Sequence, residues 1–187
     1  GFKYLYNDYR WIPACSAYKH PEGKPAFDPY IGRSKVSHGD PGCFAGCESI
    51  KEIDEHPWPN PDFLDFSQVS EILGQYEDKA VFTGLWISFF HIVSNFFGME
   101  NYFVKMYTDP GVVEAVTEHV VDFFCEANDR FFKYTGDKAD TFFFGNDFET
   151  QLDLLVSPEA FKKFILPGLK KLIAVAKKYN KKVLLHS

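Results

Sequence analysis

The 187-residue sequence predicts an α/β protein made of parallel β/α units, about three core strands of a (β/α) barrel. Three observations carry this. Short apolar runs, Ala80-Val-Phe-Thr-Gly84, Asp140-Thr-Phe-Phe-Phe-Gly145 and Lys182-Val-Leu-Leu185, read as strands buried on both faces. Long helical patterns separate them, as a parallel crossover requires. Each run empties into an outlet, at Gly84-Leu-Trp86, Asn146-Asp147 and His186, and in a barrel such outlets share the face where chemistry sits. A closed barrel needs eight strands and typically about 250 residues. The pattern therefore reads as a single partial domain over 1–187, truncated after Ser187, with the edge of its last strand unpaired.

Residues 1–66 are rich in Gly, Pro, Asp and Tyr and hold no sustained period, which predicts loops and short strands. Trp58-Pro-Asn-Pro61 excludes helix, because each Pro also biases the residue before it. The β/α units occupy 67–187. Asp65-Phe-Ser67 opens a helix to about Tyr76 with Val69, Ile72 and Leu73 on its apolar face. After the strand at 80–84, an apolar helix spans 88–97 and closes at Gly98, the residue best suited to a left-handed end. A short helix near 100–106 follows. Asp109-Pro110 then starts a helix to Gly136 whose stripe is Val113, Val116, Val120, Phe123, Phe124, Ala127 and Phe131, with Glu114, Glu118, Asp122 and Asp129 facing water. Ser157-Pro-Glu159 is a helix start, with Ser as cap and Pro at the first position. That helix runs to about Tyr179, shows Lys162, Lys163, Lys170, Lys171, Lys177 and Lys178 to solvent, and is predicted to kink, or to split into two abutting helices, near Leu166 because Pro167 lies inside it.

With 45% hydrophobic and 18% aromatic residues the chain can bury a sizeable core. A net charge of −6 argues against a nucleic-acid partner. The most apolar window, 80–97, is broken by Ser88, His91, Ser94 and Asn95, which argues against a membrane span. The stretch 1–7 does not resemble a signal peptide. Cys15, Cys43, Cys47 and Cys125 are too few and scattered for a disulfide framework, so reduced thiols in a cytoplasmic protein are expected. Cys43 and Cys47, with His38 and His56 nearby, fit no standard zinc spacing and read as loop and core residues.

Gly145-Asn-Asp-Phe-Glu-Thr-Gln151, Val156-Ser-Pro-Glu-Ala-Phe161, Pro167-Gly-Leu-Lys170 and Lys182-Val-Leu-Leu-His-Ser187 together resemble the uroporphyrinogen decarboxylase superfamily, which includes corrinoid-dependent methyltransferases. The resemblance covers about 49–187 and is strongest after Asp140. It implies a (β/α)8 TIM barrel, only partly represented here, and an enzyme. In the methyltransferase branch it implies a zinc ion held in part by His186 and by cysteines that would fall beyond Ser187. It also implies a methyl group moved between a methylated donor or corrinoid and a thiol or other acceptor, with a corrinoid protein, a homo-oligomer or a completing chain as partner.

Asn146 stands where the family turn has Asp, Glu149 where it has Gly, and His91 where many relatives carry Glu. Asp147 and His91 are the catalytic candidates, Asn146, Phe148, Gln151 and Trp86 the substrate-binding ones, and His186 the metal ligand. The decarboxylase alternative lacks its run of N-terminal arginines, since Arg10 and Arg33 stand alone. A truncated non-catalytic module is the other alternative.

Overall fold

A computed structural model describes residues 8–14, 17–31, 33, 36–37 and 39–187. Cys15 and His38, and the stretch 1–7 read against a signal peptide, lie outside the described residues.

The described residues form a four-stranded, wholly parallel sheet in the order β1-β2-β3-β4. β1 is Tyr9–Pro13. A long connection carries the short helices α1 (Ile50–Asp54) and α2 (Val69–Gly74) before β2 (Ala80–Gly84). Then come α3 (Phe89–Phe97), α4 (Met99–Thr108), α5 (Pro110–Thr135), β3 (Thr141–Gly145), α6 (Pro158–Ala160), a π-helical turn (Phe161–Ile165), α7 (Leu166–Lys178) and β4 (Lys182–His186). The three expected strands and the helices from α3 to α7 are present. No described helix is long and apolar enough to cross a membrane.

β1 is one of the short strands expected in the loop-rich segment, pairing from Tyr9↔Ala80 to Pro13↔Gly84. Two features depart from the sequence reading. α2 starts at Val69 rather than at Asp65, because the Asp65 carboxylate accepts from Ser67 N–H at 2.8 Å and pairs with Lys19, so 65–67 is a turn. β4 is not buried on both faces: it is an edge strand with Leu184 and Leu185 partly exposed. The break expected near Leu166 takes the form of a π turn abutting α7, in which Leu166 N–H donates to Phe161 O. The proline lacks the N–H that an α-helix would need next, and the wider turn ahead of it lets a regular helix resume at Leu166.

Register assigns the faces. Phe142 and Phe144 are fully buried, and Phe142 meets Phe132 of α5 edge-on at 5.5 Å. The alternate residues point the other way. Tyr9 stacks on Phe82 at 5.0 Å, and Trp11 meets Phe143 and Trp86, each at 5.5 Å. Leu184, level with Phe143, belongs to the same face. This second face stays open to solvent, with Tyr9 51%, Trp11 48% and Leu184 44% exposed.

Most of the core lies behind the sheet, where Val113, Val116, Val120, Phe131 and Phe132 of α5 meet Phe89, Phe90, Phe96 and Phe97 of α3. Asp109-Pro110 opens α5 as expected, and α3 ends at Gly98 with φ 81°. A side chain at Gly98 would be strained, and its Cβ would lie 2.6 Å from the Asp40 carbonyl.

Candidate functional site

Every strand here ends at the same side of the sheet, so side chains just beyond the strands converge. β3 and β4 run in register up to Gly145↔His186, which places Asp147 and His186 next to each other at neighbouring outlets. Asp147 Oδ1 lies 3.6 Å from His186 Nε2. Together with Trp86, Ser88, His91 and Asn95 they line an open cavity of about 360 Å³. Trp86, Asp147, His91 and His186 are thus brought together, as a barrel-type outlet face predicts.

Asn146 also borders this cavity, but its side chain is occupied. It is buried, its Oδ1 accepts from Phe90 N–H at 3.0 Å, and its Nδ2 donates to the Ile87 carbonyl at 3.1 Å. Phe90 N–H is among the donors left unsatisfied at the start of α3, so Asn146 caps that helix from another strand. Asn128 of α5 does a matching job from the other side. Its Oδ1 accepts from Leu85 N–H at 3.0 Å, and its Nδ2 donates to Phe124 O at 3.0 Å. Two buried amides therefore pin the segment between β2 and α3, on which Trp86 and Ser88 sit.

Phe148 and Gln151 are placed elsewhere. Phe148 is buried and meets Phe90 and Phe161 edge-on at 5.7 and 5.2 Å, so it supports the outlet from behind. Gln151 is exposed on a turn closed by the Glu149↔Leu154 bridge and is not among the residues lining the cavity. Thr150 holds that turn, its hydroxyl accepting from Leu152 and Asp153 N–H at 3.1 and 3.0 Å. Gly145 lets Trp86 close on the strand, since a Cβ there would lie 2.7 Å from the indole.

Asn95 and Asn128 were not singled out by sequence reasoning. Asn95 could have been found as the residue one helical turn after His91. Asn128 gives no such signal, because the Leu85 N–H that it caps lies 43 positions away.

Zinc needs three protein ligands in a catalytic site and four in a structural one. No group of three or more His, Cys, Asp or Glu side chains able to hold a metal occurs among the described residues. His186 and Asp147 supply two donors, which do not by themselves make a zinc site. Burial pushes the Cys43 and Cys47 thiols up, Cys43 to about 11. Cys43, Cys47 and Cys125 are free thiols.

Among the described residues, no Arg or Lys lines this cavity. Arg10 lies over Tyr76, Arg33 donates to the Tyr30 and Pro41 carbonyls, and Arg130 pairs with Glu126 and Asp62. A larger cavity of about 520 Å³ lies among Tyr18, Phe27, His56, Trp58 and Phe63 in the connection between β1 and β2. It is lined mainly by rings.

No protein-family profile, curated protein or solved structure matches the chain.

Proposed function

We propose that this chain is half of a (β/α)8 barrel of the uroporphyrinogen decarboxylase type, and that its outlet cavity transfers a methyl group from a methylated donor, such as a corrinoid, to a thiol. The observation that carries the reading is the Asp147–His186 pair at 3.6 Å on the rim of the cavity. A carboxylate beside an imidazole orients the ring. In this reading the His186 imidazole accepts the thiol proton, and the thiolate attacks the methyl carbon. The S–C bond forms as the bond from methyl to donor breaks, with the electron pair leaving on the donor. Trp86 supplies an apolar wall, which suits an uncharged methyl group. His91 faces the same cavity and is the second group able to exchange a proton there. Zinc would enter this scheme only with ligands beyond those described, so no step passes through it. The alternative of polycarboxylate decarboxylation lacks the arginines it needs at this cavity.

The test follows methylcobalamin demethylation spectrophotometrically in the presence of a simple thiol. Loss of a general base costs about 10²–10⁴-fold, so His186→Gln is expected to lower the rate by at least 10², and Asp147→Asn by less, because it removes only the partner that orients the ring. Equal rates for the unmodified chain and His186→Gln would sink the reading.

A further inference from the structure

The connection between β1 and β2 carries a network of rings with one gap in it. In a first cluster, Phe63 meets His20 at 5.0 Å and Tyr18 at 6.1 Å, both edge-on. In a second, His56, Trp58 and Phe96 meet one another at 4.9–5.6 Å. The two are linked only indirectly, through Phe27, which meets Phe96 at 6.4 Å and Phe123 at 5.4 Å, and through Phe123, which meets Tyr18 at 5.9 Å. Among the described residues, no ring of the first cluster touches a ring of the second, and both line the cavity of about 520 Å³.

We propose that this cavity binds a planar, uncharged heteroaromatic molecule of about the size of a purine, which fills the gap between the two clusters. Its described lining residues all lie between Tyr18 and Phe96, and it shares none of them with the outlet cavity. The inference therefore stands apart from the methyl-transfer reading.

Ring spacing carries the first step. Aromatic pairs are favourable with centres about 4.5–7 Å apart. A flat guest offers a face or an edge to rings on both sides and so restores the contacts that the gap interrupts. The volume lies within the roughly 300–1,000 Å³ of small-molecule sites. The walls are also held in place by the chain itself. Trp58 Nε1 donates to the Ile53 carbonyl at 2.7 Å, and its ring stacks nearly parallel on His119 at 4.7 Å. In the first cluster, Lys19 N–H donates to Phe63 O and Asp65 N–H to Ala17 O, each at 2.7 Å, which ties Tyr18 to Phe63. Walls fixed in advance spare a guest the cost of ordering them.

The polar atoms of the lining carry the second step. Among the described residues, neither the Tyr18 hydroxyl nor a ring nitrogen of His56 has a hydrogen-bond partner. Burial, helped by the nearby His119, holds the His56 imidazole below its ordinary range, so at neutral pH it offers one N–H and one lone pair. Asn60 Oδ1 accepts from Asp62 N–H at 2.9 Å, which leaves its Nδ2 as a donor. These three uncharged groups match the ring nitrogens and N–H edges of a heterocycle. A hydrocarbon would bury them without partners, which is costly. Lys24 and Asp28 put both signs on the rim, and Lys24 pairs with Glu22 at 2.6 Å, so charge selects neither a cation nor an anion.

Adenine is the probe, titrated into the nitrogen-15-labelled chain while the indole N–H resonances are followed. The three tryptophans report three places: Trp58 this cavity, Trp86 the outlet cavity and Trp11 the open face of the sheet. Trp11→Phe and Trp86→Phe assign the signals. Adenine is expected to shift the Trp58 signal saturably, with a Kd below about 1 mM, and to leave the other two in place. Phe63→Leu keeps the bulk and removes the ring, so it is expected to weaken binding at least about fivefold. Tyr18→Phe removes only the hydroxyl and is expected to weaken it about two- to tenfold; it leaves the packing intact and remains decisive should Phe63→Leu fail to fold. No shift up to about 5 mM adenine, a shift of Trp86 alone, an affinity unchanged by Tyr18→Phe, or tighter binding of tetramethylammonium than of adenine overturns the proposal.

Discussion

Single residues decide how the outlet is built. Asn146 looks like a polar group at a strand end, the place where a binding residue is expected, yet both ends of its amide are consumed by the backbone of 87–90. Truncating it leaves a buried N–H and a buried carbonyl without partners, at about 1–3 kcal/mol each. Asn146→Ala should therefore destabilise the chain by about 2–4 kcal/mol in denaturant titration, more than any loss at exposed Asp147. Gly145→Ala tests the close approach of Trp86. Overpacking typically costs about 1–3 kcal/mol, and the indole must move, so a shifted tryptophan emission maximum should accompany the lowered midpoint. His56 gives a pH signature. It packs among Phe44, Trp58 and Phe96 at 4.9–5.6 Å, and burial, helped by the nearby His119, holds its imidazole below the ordinary range. The unfolded chain then binds the proton more readily. Stability from this residue is present above about pH 6.5 and is lost as pH falls from there toward the depressed folded value. His56→Phe should flatten that part of the curve, read from urea midpoints between pH 7.5 and pH 5.

At the scale of elements, the seam between α5 and α7 shows what spacing can and cannot reveal. The acids of α5 and the lysines around α7 were each read as faces turned to water, and they are exposed, but they also meet. Lys171 lies 2.9 Å from Asp122 and 3.3 Å from Glu118, Lys163 3.5 Å from Glu114, and Lys178 pairs with Asp129. Amphipathic period gives each helix its dry side and says nothing of which wet sides become neighbours. Pairs this exposed contribute about 0–1 kcal/mol, so Lys171→Met should cost less than 1 kcal/mol in low salt and nothing measurable in 1 M NaCl. The Asp122 carboxylate holds the Lys171 ammonium above its usual range. Its contribution is thus complete below the unfolded lysine value near pH 10.4 and fades as pH climbs through the raised one. The strands tell a complementary story. β2, β3 and β4 were legible because apolar runs ending in Gly or His are distinctive. The position of β1 was not, since Tyr9-Arg-Trp-Ile-Pro13 mixes charge and proline with its apolar residues, and its partner β2 lies 71 positions away. Separations of 43, 56 and 59 positions likewise hid the backbone-capping roles of Asn128 and Asn146, which depend on what folding brings beside them.

For the whole molecule, the sheet has one finished side and one unfinished side, and this sets where it is expected to open first. Among the described residues, β2 and β3 have neighbours on both edges, whereas β1 and β4 have one each. Amides of Phe142 and Phe144 should therefore exchange only by global unfolding, and those along the outer edges of β1 and β4 faster by several orders of magnitude. Equal protection across all four strands would contradict this ordering. The two amide clamps carry a further consequence for any molecule that enters the cavity. Because Asn128 and Asn146 immobilise 85–90 before a guest arrives, Trp86 and Ser88 have little freedom left to surrender on contact. Capture should then proceed in one fast step resembling lock and key, with rates set by encounter.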